Sequence, residues 1–208
     1  MFWEIKSQKV VVFESRLLFR NIVNNYFTET GHSVSFVSGH NLTEEVCLAA
    51  QDNALIALGI AGVGTHFKNV LRVIHYVSNL HREVAVWVPE AEGMLLQLML
   101  GLGVSHVLAE EHLADEMPGI TPYSQFITPT AQSLARRHEI KRITSSELNV
   151  LLDATQGMSV NQIAAYRNRN YKTIIAHRRN MCQKMGLENG ADWFELLVKI
   201  EKMNAQYL

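Results

Sequence analysis

Between Asn161 and Lys184 the chain carries six cations, Arg167, Arg169, Lys172, Arg178, Arg179 and Lys184, and not one Asp or Glu. Cations without counter-charges can neutralise the phosphates of a polyanion, and an arginine among them can grip a guanine edge through two parallel N–H bonds. Ser159 and Asn161 add a hydroxyl and an amide, and Ile175 and Ala176 are small enough to touch a thymine methyl. A charge run by itself is more often a solvated helix face, so the scaffold has to decide. Other chemistries find less support. The nine histidines are scattered, no His-Glu-x-x-His or paired-cysteine metal spacing occurs, and no Ser/His/Asp set can be nominated. Neither an enzyme nor a metal or cofactor site is expected, and His177, inside the basic stretch, is better explained by packing and phosphate contact.

The elements that must position these groups can be read locally. Ser159 can cap a first helix on which Val160, Ile163 and Ala164 follow at helical spacing. After a polar break at Asn168–Asn170, Asn170 can cap a second helix whose Ile174, Met181 and Met185, with Arg178 at the rim, form a core-facing stripe. Lys172, Ile175, Ala176, Arg179 and Gln183 fall on its opposite side. Upstream, Thr144 and Glu147 form a capping box before Leu148, Leu151 and Leu152, and Gly157 ends that helix. A last helix spans Ala191–Met203, with Trp193, Leu196, Leu197 and Ile200 on one side. The basic stretch therefore reads as a helix-turn-helix.

Several short motifs in this region follow one another in register: Ile143-Thr-Ser-Ser-Glu147, Gly157-Met-Ser159, Gln162-Ile-Ala164, and Lys172-Thr-Ile174 with His177, Lys184 and Met185-Gly186. From Ile143 to about Lys199 the chain resembles the LuxR/FixJ/NarL-type DNA-binding domain of bacterial response regulators. Asn168-Arg-Asn-Tyr-Lys-Thr173 looks closest to the Rcs-type subgroup and its auxiliary partners. The resemblance implies a small all-α, four-helix domain that takes double-stranded DNA as a dimer, the last helix touching its twin. Half-sites would lie about 10 bp apart or a multiple of it. On this reading Lys172, Arg178 and Lys184 meet phosphates, Ser159 and Asn161 bond the backbone from the first helix, and Arg179 takes a base edge. Arg167 and Arg169 stand where the family has apolar residues, so the turn either packs less well or reaches toward phosphate.

The first 110 or so residues alternate strands and helices. Lys9–Phe13, Val34–Val37, Ala54–Leu58, Val84–Val88 and Val104–Ala109 read as strands; Leu17–Phe27, Leu42–Ala50, Phe67–Leu80 and Glu92–Leu102 read as helices. That pattern predicts a doubly wound α/β domain with a five-stranded parallel sheet. The order resembles the receiver domain of response regulators, with a reduced phosphorylation site. Gly59 stands at the phosphoacceptor position, Glu14 and Ser15 at the two metal-holding acids, Val88 at the switch hydroxyl and Glu110 at the lysine. Without a carboxylate nucleophile, control by aspartyl phosphate is not expected. Helix Glu92–Leu102 is apolar almost all round: it is either buried on two sides of its own domain or docks a second subunit through Leu95, Leu98, Met99 and Leu102.

The boundaries follow: residues 1–118 as the receiver-like domain, 119–142 as a linker with a short helix over Ile127–Ala135, and 143–208 as the helix-turn-helix domain. Pro118, Gly119 and Pro122 leave the last receiver helix short or absent. Charge divides the same way, at +5 from Arg136 onward and −6 before it, which puts the polyanion-facing surface in the C-terminal part. Cys47 and Cys182 read as buried thiols of a reducing compartment. With no signal-peptide core and no apolar run long enough to span a bilayer, a cytoplasmic protein without membrane contact is expected. The expected activity is a phosphorylation-independent, sequence-specific transcriptional regulator, acting as a homodimer or heterodimer, with RNA polymerase a possible further partner. Two alternatives stay open. One is an auxiliary regulator that works through heterodimerisation with an intact response regulator. The other is a small-molecule sensor, although Gly59, Gly62 and Gly64 lack the spacing of a dinucleotide fingerprint.

Overall fold

The computed structural model describes residues 8–80, 83–89, 93–120, 126–127, 136 and 139–205. Its first part is a parallel sheet of β1 (Lys9–Phe13), β2 (Ser33–Phe36), β3 (Leu55–Gly59), β4 (Val84–Val88), β5 (His106–Ala109) and β6 (Phe126–Ile127), in the order β2-β1-β3-β4-β5-β6. The five expected strands are present, and a sixth, two-residue strand adds to them: Phe126 and Ile127 extend the sheet edge opposite His106 and Val107. Ile127 therefore does not begin a linker helix, and the rest of that predicted helix, residues 128–135, lies outside the described residues. Period-two side-chain alternation feeds both faces of the sheet. Val10, Val12, Leu55, Ala57 and Trp87 pack under α1 (Leu17–Glu29) and the single-turn α5 (Leu113–Glu116). Val11, Phe13, Ile56, Leu58 and Val86 pack under α2 (Leu42–Gln51), α3 (Phe67–Asn79) and α4 (Met94–Leu102). Pro118 lies in the 3-10 turn Met117–Gly119 that follows α5, where the missing N–H of proline is tolerated.

The C-terminal part consists of α6 (Ser145–Ala154), α7 (Val160–Tyr166), α8 (Tyr171–Met185) and α9 (Gly190–Ala205). Its caps are local and specific. Thr144 accepts the Glu147 amide at 3.3 Å while the Glu147 carboxylate accepts the Thr144 amide at 2.7 Å. Ser159 and Gln162 repeat the exchange at α7, and the Asn170 side chain accepts the Lys172 amide at 2.9 Å. Asn168, in the turn, has φ 50°, a left-handed conformation that asparagine adopts more readily than most residues.

One hydrophobic cluster runs from the sheet through α3 and α4 into Ile143, Leu151, Met181, Met185, Trp193 and Ile200. α4 is therefore apolar all round because it lies between the sheet and the C-terminal helices. Leu95, Leu98, Met99 and Leu102 are each at most 5% exposed, which decides between the two readings of this helix: its apolar surface is buried within the chain, and the second-subunit alternative is corrected. Polar contacts fix the same junction. The Ile143 amide donates to the Gly101 carbonyl at 2.8 Å, Arg142 donates to the Ser78 carbonyl at 3.2 Å, His75 Nε2 lies 3.2 Å from the Ile143 carbonyl, and Lys68 pairs with Glu201 at 3.1 Å. Cys47 and Cys182 are free, half-buried thiols, and burial pushes both thiols above their usual range. Among the described residues no helix is long and apolar enough to cross a membrane.

Candidate nucleic-acid interface

α8 turns Ile174, Met181 and Met185 inward and leaves Lys172, Ile175, Ala176, Arg179 and Gln183 exposed on one surface. Arg169, just before the helix, is exposed beside them, and so is Asn161 on α7. Arg169, Lys172 and Arg179 have no acidic partner among the described residues, so their charge faces solvent. Ile175 is 45% exposed and stands between Lys172 and Arg179. Two cations with one small and one branched apolar group between them form a convex ridge, the shape that fits a groove rather than a pocket. Tyr171, at the start of α8, and Tyr166, at the end of α7, are also exposed. Sequence reading gives neither tyrosine a role, because an aromatic at a helix end is as readily core as surface.

Three of the six cations have other work. Lys184 Nζ donates to both Glu147 oxygens, at 3.0 and 2.9 Å, and ties the end of α8 to the start of α6. Burial by itself would raise the Glu147 carboxyl; the Lys184 ammonium and the Thr144 hydrogen bonds outweigh it and hold the group below its usual value. The expected phosphate role of Lys184 is corrected accordingly, since its half-buried ammonium is bound to both oxygens of Glu147. Arg167 likewise grips Asp153 with both arms of its guanidinium, Nη2 at 2.9 Å and Nε closer still, and that bond raises the Arg167 pKa. At position 167 the apolar-to-arginine exchange therefore makes an ion pair with a buried carboxylate, and the turn is pinned rather than loosened. Arg178 is half-buried, stacked 5.1 Å from the centre of the Trp193 ring. Ser159 is exposed but shares its hydroxyl with Gln162 Oε1 at 2.8 Å.

The residues read as a reduced phosphorylation site converge at the carboxyl ends of the strands, where ligands of open α/β sheets bind. The Glu14 carboxylate is buried there. It accepts the Trp87 indole N–H at 2.7 Å, the Arg16 amide at 2.8 Å and Arg16 Nη2 at 2.9 Å. The same guanidinium reaches both oxygens of Glu110 at 2.7 Å. Burial opposes charge on Arg16, but the two carboxylates raise its pKa above the ordinary arginine value. A Cβ at Gly59 would collide with the Glu14 carboxylate and lie 2.6 Å from Trp87 Nε1. Ser15 turns aside and donates to the Gly62 carbonyl at 2.9 Å, and Val88 is buried in β4. Arg16, on which sequence reading laid no weight, is thus the hub of the cluster. Its partner Glu110 is distant in the chain, so spacing carries no signal for it.

Residues 141–196 match the family model of bacterial regulatory proteins of the luxR family. The match covers the helix-turn-helix part of the chain, which is joined here to a receiver-like α/β domain. Among solved structures the chain is similar to the RcsB response regulator of Salmonella typhimurium, at 19% identity over 92% of this chain and 100% of that one, with a TM-score of 0.51. An RcsB–DNA complex is similar at 17% identity, covering 93% and 98%, TM-score 0.51. A structure of two RcsB dimers bound to two parallel DNAs gives 16%, 93% and 98%, and 0.52. At such identities the likeness concerns the fold. A comparison with curated protein sequences finds no match.

Proposed function

We propose that this protein is a transcriptional regulator that binds duplex DNA through α8. The observation that carries the reading is the acid-free ridge of Arg169, Lys172, Ile175, Ala176 and Arg179, which is exposed while the opposite side of the helix is buried. The luxR-family match over residues 141–196 and the two-domain fold shared with RcsB, which the solved complexes hold on DNA, support it. Arg169 and Lys172 meet phosphates, Arg178 sits at the rim, and Arg179 reads a base edge. Asn161 and Ser159 approach the backbone from α7.

The front domain works without phosphorylation, because position 59 has no nucleophile and no room for one, and Arg16 occupies the neighbouring carboxylates. It acts as a fixed platform. A single domain of this size makes few DNA contacts, so binding requires pairing, with half-sites a whole number of turns apart. A second copy is the first choice of companion. An intact response regulator is the second; Leu17 and Leu18 of α1, which are 72% and 67% exposed, offer an apolar surface to either companion. Sizing the protein alone and with such a regulator, with and without DNA, separates the two.

The roles on α8 are tested by titrating Arg179→Ala and Lys172→Ala against a panel of duplexes selected by the wild type. Arg179→Ala should narrow the gap between the best and the worst duplex, roughly 1–3 kcal/mol for a bidentate guanine contact. Lys172→Ala should weaken all of them alike. Identical behaviour of the two variants overturns the assignment.

A further inference from the structure

Beside the ridge, a cleft of about 360 Å³ opens between α6, the turn after α7, and α8. Its floor is apolar, made by the buried Val150 and Ile174. Its walls are polar: Ser146 and Asn149 from α6, Tyr166 from the end of α7, Arg169 from the turn, and His177 from α8. No carboxylate lines it; the nearby Asp153 is taken by Arg167, which closes one side. Every polar wall group can donate a hydrogen bond, and Arg169 brings a charge with no acidic partner among the described residues. A concavity with donors on every side, a permanent cation and no competing carboxylate is suited to an anion. The apolar floor excludes water from below and strengthens those bonds.

We infer that this cleft seats one backbone phosphate of the duplex, and that α6, through Ser146 and Asn149, is therefore part of the DNA-binding surface. The inference rests on the reading of α8 as the groove helix. Asn149 and His177 are half-buried and lie off the exposed ridge rather than on it. A strand passing beside a helix seated in the major groove presents its phosphates to that flank. Contact with a phosphate fixes register and orientation and carries no sequence preference. Arg169 supplies the charge, Ser146, Asn149 and His177 hold the oxygens, and Tyr166 caps the mouth.

The test is a fluorescence-anisotropy titration of the full chain with two duplexes of unrelated sequence, each two helical turns long, over a range of salt. Wild type is compared with Asn149→Asp, Ser146→Asp and Arg169→Gln, and circular dichroism verifies that each variant is folded. Either aspartate should weaken both duplexes by about tenfold and by the same factor. Arg169→Gln should flatten the slope of log affinity against log salt by about one. The inference is overturned if the folded aspartate variants bind like wild type. It is also overturned if inorganic phosphate stabilises wild type against heat, but not Asn149→Asp, while both bind DNA equally, since the cleft would then serve a free anion. Failure of the wild type itself to bind either duplex would instead overturn the DNA-binding reading on which the inference rests.

Discussion

Glu147 is buried, and its carboxylate is held by the Lys184 ammonium and the Thr144 amide. Removing the ammonium leaves a charge in a poorly solvated place with little opposite it. Because Lys184 is itself partly exposed, Lys184→Ala is expected to cost about 2 kcal/mol, below the cost for a fully buried pair, read as a lower urea midpoint. The folded carboxyl holds its proton less readily than an unfolded glutamate, whose value is near ~4.3. Its stabilisation is therefore complete above that value and disappears as pH falls through the lower, folded one. Wild-type stability should drop on acidification below about pH 4, and Lys184→Ala should lose part of that dependence. Gly59 offers a second residue-scale test. Gly59→Asp places a side chain against Glu14 and Trp87, and should cost about 1–3 kcal/mol through overpacking. It should take up no phosphoryl group from acetyl phosphate when intact mass is measured, because Arg16 already holds the carboxylates around it.

At the scale of elements, α4 is the joint between the two parts of the molecule. Gly101 lies in it with Ile143 and Met185 opposite, and a Cβ there would sit 3.5 Å from each, an ordinary contact distance. Gly101→Ala should therefore fit and raise stability by roughly 0.5–1 kcal/mol through helix propensity. Gly101→Leu should force Ile143 away, and its loss would show in thermal melts as a lower midpoint. What sequence shows about these elements follows the range of the interactions. The boxes Thr144/Glu147 and Ser159/Gln162 and the Asn170 cap each span two or three residues, so they are legible at once. Strand and helix order is legible too, because burial imprints its period on the local sequence. The pairs Arg16–Glu110 and Lys184–Glu147 join residues 94 and 37 apart, and no local pattern marks them. The same holds for the cover on α4: all-round apolarity says that a surface is buried, not what buries it. β6 is only two residues long, too short to carry any period.

The whole molecule has a core continuous from the sheet to α9. Its two parts should therefore unfold together. Trp87 lies under α1 in the sheet and Trp193 in the C-terminal helices, both nearly inaccessible. With Trp3 replaced, denaturation followed through Trp87 in one variant and through Trp193 in another should give coincident transitions; two separate midpoints would contradict a shared core. Docking also determines what the recognition helix can do. The anchor residues Met181 and Met185 lie on the side away from Lys172, Ile175, Ala176 and Arg179, so the ridge stays open while the domains are joined. The claim on which the rest depends is that this open, basic ridge meets a duplex. Its most direct measurement is the salt dependence of duplex binding by the full chain and by an Arg169→Gln/Lys172→Gln/Arg179→Gln variant. The account predicts a wild-type affinity that falls steeply with salt and, in the folded variant, a large loss with a slope shallower by about two, one for each of the phosphate contacts of Arg169 and Lys172. Equal affinity and equal slope for the two proteins would contradict it.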